Sequence, residues 1–196
     1  MPRDTLSELD PLSDDALLVL YARGDAEAAR VLTGRHLGRV YGFAARLLGD
    51  RAEAEDVAQE VMLRMWRVAG HWRAGEAQLS SWLYRVTLNL CTDRSRARQR
   101  RRTDRLDDVA EPADERADTE AGLMRRERHD ALQAALATLP DRQRQAVVLR
   151  HIEGLSNPEI AAILEVGVEA VESLTARGKR GLTAALAGQQ AALGLG

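Results

Sequence analysis

The sequence predicts an all-α protein of two small helical domains joined by an acidic flexible linker, the second containing a helix-turn-helix. Three observations carry this prediction. Apolar residues recur at spacings of three and four along most of the 196 residues, the period of an amphipathic helix. Aromatic residues are only 4%, and turn punctuation is sparse at 15 Gly and 5 Pro, which fits poorly with a sandwich or barrel of many hairpins. Between residues 105 and 121 the periodicity lapses and the chain turns acidic, which divides it into residues 10–104 and 122–188. With 45% apolar residues there is enough hydrophobic side chain for two cores.

The elements follow in order. Ser13, Asp14 and Asp15 start a helix that carries Leu17, Leu18 and Leu20, and Gly24-Asp25 stops it and starts the next. That second helix runs to about Leu48, where Gly49 interrupts it. Asp50 caps a third, with Glu53, Glu55 and Asp56 placed to complement the helix dipole. Val57, Val61, Met62, Met65 and Trp66 give this helix one apolar face. From Gly70 to Ser80 the pattern breaks into a loop, and a loop of this length inside a bundle often has a task. Ser80 or Ser81 then caps a helix from Trp82 with an apolar stripe of Trp82, Leu83, Val86 and Leu90.

Net charge is -2, which taken alone speaks against a nucleic-acid partner. The distribution changes that reading. From Arg85 to Arg105 there are eight Arg and two Asp, a local charge of +6. From Asp107 to Glu120 there are seven acids and one Arg, a local charge of -6. Positive charge is carried by 27 Arg and a single Lys, Lys179; the planar guanidinium fork suits phosphate and base edges, and GC-rich codon usage gives the same bias. The Arg run is either a nucleic-acid surface, with Trp72 and Trp82 near it as stacking partners for unpaired bases, or a solvated helix end.

Beyond the linker, Leu123 to Leu139 is amphipathic, and Pro140-Asp141 passes into a helix through Arg150 that Gly154 closes. Ser156-Asn157-Pro158-Glu159 is a capping box, the sharpest local signal in the chain. A short helix through Leu164, a turn at Glu165-Val166-Gly167 and a helix from Val168 to about Ala187 make a helix-turn-helix. Val168, Val171 and Leu174 face inward. Glu169, Ala170, Glu172, Ser173 and Ala176 are left for base edges, and Arg177, Lys179 and Arg180 for phosphates. From spacing alone, this pair of helices is a DNA reader or a plain packing hairpin.

Two sets of residues decide between these. Gly24-Asp25, Leu48-Gly49-Asp50, Ala54-Glu55-Asp56-Val57-Ala58-Gln59-Glu60-Val61 and Trp82-Leu83-Tyr84-Arg85-Val86, with Asn89 and Asp93, occupy the first domain. Leu139-Pro140, Arg144, Val148-Leu149-Arg150, Glu153-Gly154-Leu155-Ser156, Glu159-Ile160-Ala161 and Ala170-Val171-Glu172-Ser173-Leu174 occupy the second. In this order the two sets resemble regions 2 and 4 of the extracytoplasmic-function (ECF, group IV) sigma factors of bacterial RNA polymerase, over about Ser13 to Leu186.

The resemblance implies a non-enzymatic factor that directs core RNA polymerase to promoters and aids their melting. It implies that Asp56, Gln59, Glu60, Leu63, Arg64 and Trp66 dock on the clamp of the largest polymerase subunit. Trp72, Arg73, Trp82, Arg85, Asn89, Arg94, Arg96 and Arg98 would hold the minus-ten element, with a non-template base flipped into a pocket. Glu169 to Arg180 would read the minus-thirty-five element, apolar faces from Asp141 to Leu164 would meet the polymerase flap, and an anti-sigma partner would cover these surfaces. Two departures are visible. The segment between Trp72 and Trp82 is one residue longer than the family's commonest loop, so the resemblance does not assign the side chains of the base pocket. Glu172 stands where Lys or Arg is frequent, so promoter preference is not carried over.

Other chemistries have little support. His36, His71, His129 and His151 share no ligand spacing, no catalytic constellation is visible, and no cofactor is expected. The single cysteine, Cys91, excludes an internal disulfide and a Cys-based zinc motif, and its place on an apolar helix predicts packing. With no secretory pattern in Met1–Asp10 and no run of 18 apolar residues, the expected location is the cytoplasm.

Overall fold

Side-chain oxygens start three helices of the first half of the chain. Ser13 Oγ accepts the N–H of Ala16 (3.3 Å) at the head of α1, Asp14–Ala22. Asp25 Oδ1 accepts from Glu27 (2.9 Å) and Ala28 (3.2 Å) at the head of α2, Ala26–Leu48. Asp50 Oδ1 accepts from Glu53 (3.0 Å) at the head of α3, Arg51–Val68. Each satisfies amide groups that the helix itself leaves open. Gly49, at φ 66°, closes α2 in the left-handed conformation that glycine adopts without steric cost.

The computed structural model describes residues 9–75, 78–104 and 120–192, and among them every regular element is helical. A 3-10 turn at Ala69–His71 follows α3, and α4 spans Leu79–Asp104. The second half comprises α5 (Glu120–Ala137), α6 (Asp141–Val147) running into a π turn (Val148–Ile152), α7 (Asn157–Leu164) and α8 (Val168–Ala192). Of the predicted linker, residues 105–119 lie outside the described residues, and its last two positions already belong to α5. Two compact units result, with the break between Cys91 and Thr92 inside α4 and with Ala162–Glu165 grouped with the first.

The first unit is built on Leu17, Leu18, Leu32, Phe43, Val57, Val61, Met65 and Leu83, all fully buried. Aromatic pairs form within it: Phe43 meets Tyr84 edge-on (5.2 Å), Tyr21 lies against Trp66 (4.5 Å), and Arg39 sits over the Tyr84 ring. Here α4 departs from expectation in two respects. It begins at Leu79, not Trp82: the Trp82 N–H bonds to the Gln78 carbonyl (3.1 Å), and Ser80 and Ser81 fall within the first turn. Burying Leu79 is worth roughly 1.5–3 kcal/mol, against about 1 kcal/mol for a serine cap, so burial sets the start. The buried stripe is also rotated, to Leu79, Leu83, Tyr84, Thr87, Leu88 and Cys91, leaving Trp82, Val86 and Leu90 half-exposed. Thr87 belongs to this stripe because its hydroxyl is satisfied by the Leu83 carbonyl (2.7 Å).

In the second unit α5 ends before Pro140, which cannot extend it. The helix expected from Asp141 through Arg150 is not α throughout. At Val148 it widens into the π turn, where the Glu153 N–H bonds to the Val148 carbonyl, and it is closed by Gly154 at φ 76° with the Leu155 N–H on the Leu149 carbonyl. Ala135, Leu136, Leu139, Ala146, Val147, Leu149, Leu155, Ile160 and Val171 are buried. α8 reaches Ala192, beyond the predicted end near Ala187. Gly178 and Gly181 let it approach closely, since a Cβ on Gly178 would lie 2.5 Å from Val147 Cγ2 and one on Gly181 2.7 Å from Leu139 Cδ2.

Candidate nucleic-acid interface

On α3 the apolar face is inward and fixes what remains outside. Asp56, Gln59, Leu63 and Arg64 are exposed, Glu60 and Trp66 partly so, and Leu63 is 49% accessible despite its size. Glu60 Oε1 accepts from Arg64 Nε (2.8 Å), with Arg67 beyond (3.9 Å), and the Arg64 hydrogen bond holds the Glu60 carboxyl below its usual range. At about 100° per residue, Asp56, Glu60 and Leu63 form the centre of the outer stripe, and Trp66 stands at its margin against Tyr21.

The same geometry sorts the predicted α4 residues. Trp82, Arg85, Asn89 and Arg96 share the outer stripe, whereas Arg94 and Arg98 continue the line of the buried one and are half-buried. The structure thus brings the first four together and leaves those two on another side. Arg85 Nε is buried and finds no acceptor among the described residues. Trp72, from the loop, packs edge-on to Trp82 (6.1 Å, 81°), and Arg73 beside it is exposed. Two indoles, a half-buried guanidinium and a carboxamide therefore line one surface. This is the chemistry that stacks and hydrogen-bonds an unpaired base.

The loop has an anchor that periodicity did not reveal. Asp15 Oδ1 accepts from Trp72 Nε1 (2.7 Å), and Asp15 Oδ2 accepts the Gly75 N–H (3.1 Å). Its neighbour Asp14 turns to α2, accepting from Arg35 (2.8 Å) and from His36 Nε2 (2.7 Å). Arg35 also donates to the carbonyls of Leu12 and Asp10. The sequence marks Asp14 and Asp15 only as charges suited to a helix start, because partners 21 to 60 positions away leave no local pattern.

The capping box of α7 forms as its residues require. The Ser156 N–H donates to Glu159 Oε2 (2.7 Å), Ser156 Oγ donates to the same oxygen (2.6 Å), and the Glu159 N–H points back to Ser156 Oγ (3.5 Å). These bonds from Ser156 hold the Glu159 carboxyl below its usual range. Glu165 takes the left-handed position of the turn (φ 55°), not Gly167, whose carbonyl instead accepts the Val171 N–H at the head of α8. Val171 is fully buried and Leu174 half-buried. Val168, expected inside, is 40% exposed, because as the first residue of the helix it stands on the flank of the Val171 line. Glu169, Ala170, Glu172, Ala176, Arg177, Lys179 and Arg180 are exposed and Ser173 partly so. Arg177 Nε donates to Ser173 Oγ (3.2 Å), and Asn157 lies near Glu172 (3.5 Å).

Two family descriptions match this chain: "Sigma-70 region 2" over residues 32–101 and "Sigma-70, region 4" over residues 129–182. The first holds the α3 and α4 surfaces, the second the α7–α8 pair. The ECF RNA polymerase sigma factor SigM of Mycobacterium tuberculosis is 35% identical over 167 residues, 85% of this chain and 81% of that one. The chain belongs to the ECF sigma factors of RNA polymerase. The RNA polymerase sigma-H factor of Pseudomonas aeruginosa is 31% identical over 182 residues, 88% of this chain and 93% of its own. Among solved structures, CnrH in complex with the cytosolic domain of CnrY matches with a TM-score of 0.65 and 27% identity, covering 89% of this chain and 97% of that one. RpoE of Bartonella quintana, in complex with the anti-sigma factor NepR, shares the fold (TM-score 0.63, 22% identity, 80% and 95% covered). The sigma factor thus serves promoter-specific transcription initiation by RNA polymerase. Among the described residues no group of three His, Cys, Asp or Glu is placed to hold a metal, and no helix is long and apolar enough to cross a membrane.

Proposed function

We propose the following division of labour within this sigma factor. Region 2 extends over residues 10–104, a linker over 105–121 and region 4 over 122–188. The outer stripe of α3 (Asp56, Gln59, Glu60, Leu63, Arg64, with Trp66 at its margin) docks on the clamp of core polymerase, and apolar faces of α6 and α7 dock on the flap. Trp72, Arg73, Trp82, Arg85 and Asn89 capture the minus-ten element and hold its non-template strand melted. Arg96 follows on the same stripe, and Arg94 and Arg98 meet phosphates from the other side. Glu169, Ala170, Glu172, Ser173 and Ala176 read the minus-thirty-five element as duplex, with Arg177, Lys179 and Arg180 on its backbone.

The observation that carries this reading is the shared face of Trp82, Arg85 and Asn89 with Trp72 packed against it. Extruding a base costs a few kcal/mol, which stacking on indole and hydrogen bonds to Arg85 and Asn89 can offset. No bond of substrate has to be broken for this work, so the factor acts without catalysis of its own, in the cytoplasm with the polymerase. An anti-sigma partner is expected to restrain it, as CnrY and NepR accompany CnrH and RpoE.

Run-off transcription with core polymerase tests the assignment. Trp82→Ala with Asn89→Ala should abolish promoter-dependent transcript while leaving co-elution with core intact. Asp56→Ala with Gln59→Ala should weaken co-elution by about tenfold, as expected for a few solvent-facing polar contacts near an apolar anchor. Unchanged core affinity in the second pair removes the α3 assignment.

A further inference from the structure

Resting on the reading of the Trp72–Gly75 segment as part of the minus-ten surface, we infer that Asp15 is the positioning residue that sets that segment's selectivity. The loop leaves the 3-10 turn at His71 and re-enters regular structure at Leu79. Among its described residues the Trp72 N–H bonds back to the Ala69 carbonyl at 3.3 Å, and Gly75 takes φ 83°. Two long-range bonds to the segment go to the two oxygens of one carboxylate. Oδ1 takes the Trp72 indole N–H at 2.7 Å and Oδ2 takes the Gly75 amide at 3.1 Å.

The base on which this clamp stands is rigid. Asp15 lies in the first turn of α1, which Ser13 caps, and the adjacent Asp14 fastens that turn to α2 through Arg35 and His36. Leu17 and Leu18, two and three residues on, are fully buried. Because Trp72 also packs edge-on to Trp82, the orientation imposed by Asp15 passes to the face that holds Arg85 and Asn89. A carboxylate suits the task where an amide would not, since ionised it offers acceptors at both oxygens while Asn offers one acceptor and two donors. Asp15 touches no DNA in this scheme; it acts through Trp72.

The test uses the intact chain and its holoenzyme with core polymerase. In a Trp66→Phe background Trp72 and Trp82 are the remaining indoles of the three, and acrylamide quenching of the free chain reports their exposure. Asp15→Ala should raise quenching, and Asp15→Asn, which keeps one acceptor, should raise it less. Far-UV circular dichroism of both variants should match the parent. The holoenzyme with native Trp66 is then challenged with DNA duplexes randomised separately over the upstream and downstream promoter elements, and heparin-resistant complexes are sequenced. Asp15→Ala should flatten downstream selection by about tenfold, the equivalent of two hydrogen bonds of ordinary net strength, with upstream selection unchanged. Asp15→Asn should fall between. Both substitutions remove the same charge, so their difference isolates the hydrogen bonds from any change in DNA attraction. Unchanged quenching in Asp15→Ala overturns the clamp. Raised quenching with downstream selection intact, while Trp72→Ala with Arg73→Ala flattens it, overturns the positioning role and keeps the loop reading. If the Trp72 and Arg73 pair also leaves selection intact, the loop reading fails and the inference with it.

Discussion

Adjacent carboxylates at the head of α1 face different partners. Asp14 is held below the usual carboxylate range, first by the hydrogen bond from His36 and then by Arg35, with burial opposing. Since folding lowers this pKa, the stabilisation is present above the unfolded-state pKa and is lost as pH falls through the folded one. Asp14→Asn should therefore cost about 1 kcal/mol near neutrality, a charged hydrogen bond discounted for partial exposure. The gap to the parent should close as pH drops below the ordinary carboxylate range. Urea midpoints measured across that interval check it, and a gap independent of pH would exclude Asp14 as the titrating group. His36, 6% exposed, was legible in the sequence only as a histidine without ligand spacing. Its role depends on Asp14, which lies 22 positions away.

For whole elements, local signals were a good guide wherever a cap and a period agreed. Asp25, Asp50 and the Ser156–Glu159 box each start a helix at the predicted place, because capping is decided within three or four residues. The start of α4 was misplaced since it is decided by burial of Leu79, a tertiary effect that outweighs a serine. Its stripe was misphased because Thr87 looks polar until its hydroxyl is seen on the Leu83 carbonyl, which hides a buried position from any apolar count. Correcting the phase improves the candidate site. Trp82 moves from the core to the surface that carries Arg85 and Asn89, while Arg94 and Arg98 leave it. Glycines within helices divide in the same way. Gly178→Ala would gain about 1 kcal/mol of helix propensity, but its Cβ would meet Val147 Cγ2 at 2.5 Å and the Gln143 carbonyl oxygen at 3.0 Å. Overpacking costs typically 1–3 kcal/mol, so the variant should be destabilised by about 1 kcal/mol. Gly34 in α2 has open space, and Gly34→Ala should stabilise by up to about 1 kcal/mol. Urea titration of both variants gives the signs, and a stabilised Gly178→Ala would mean that α8 moves away from α6 at little cost.

Across the whole molecule, net charge was a poor guide and its distribution a good one. Within the figure of -2 the basic segment from Arg85 to Arg105 and the acidic segment after it cancel, and only the local sums point to DNA. Division into two helical domains was legible from the loss of periodicity, while the break inside α4 was not, since the helical pattern runs on past Cys91. The aromatic pairs of the first unit carry a consequence for the molecule as a whole. All three Trp, all three Tyr and the single Phe lie between Tyr21 and Tyr84, so no Trp, Tyr or Phe takes part in the core of the second unit. Near-ultraviolet dichroism and intrinsic fluorescence of the full chain thus originate in residues 21–84, whereas far-ultraviolet dichroism sums every helix. If the two halves lose structure independently, urea curves followed by these probes will separate into distinct midpoints, and coincident curves would show one cooperative transition. A change in intrinsic tryptophan fluorescence on DNA binding then reports on residues 66–82 without any added label.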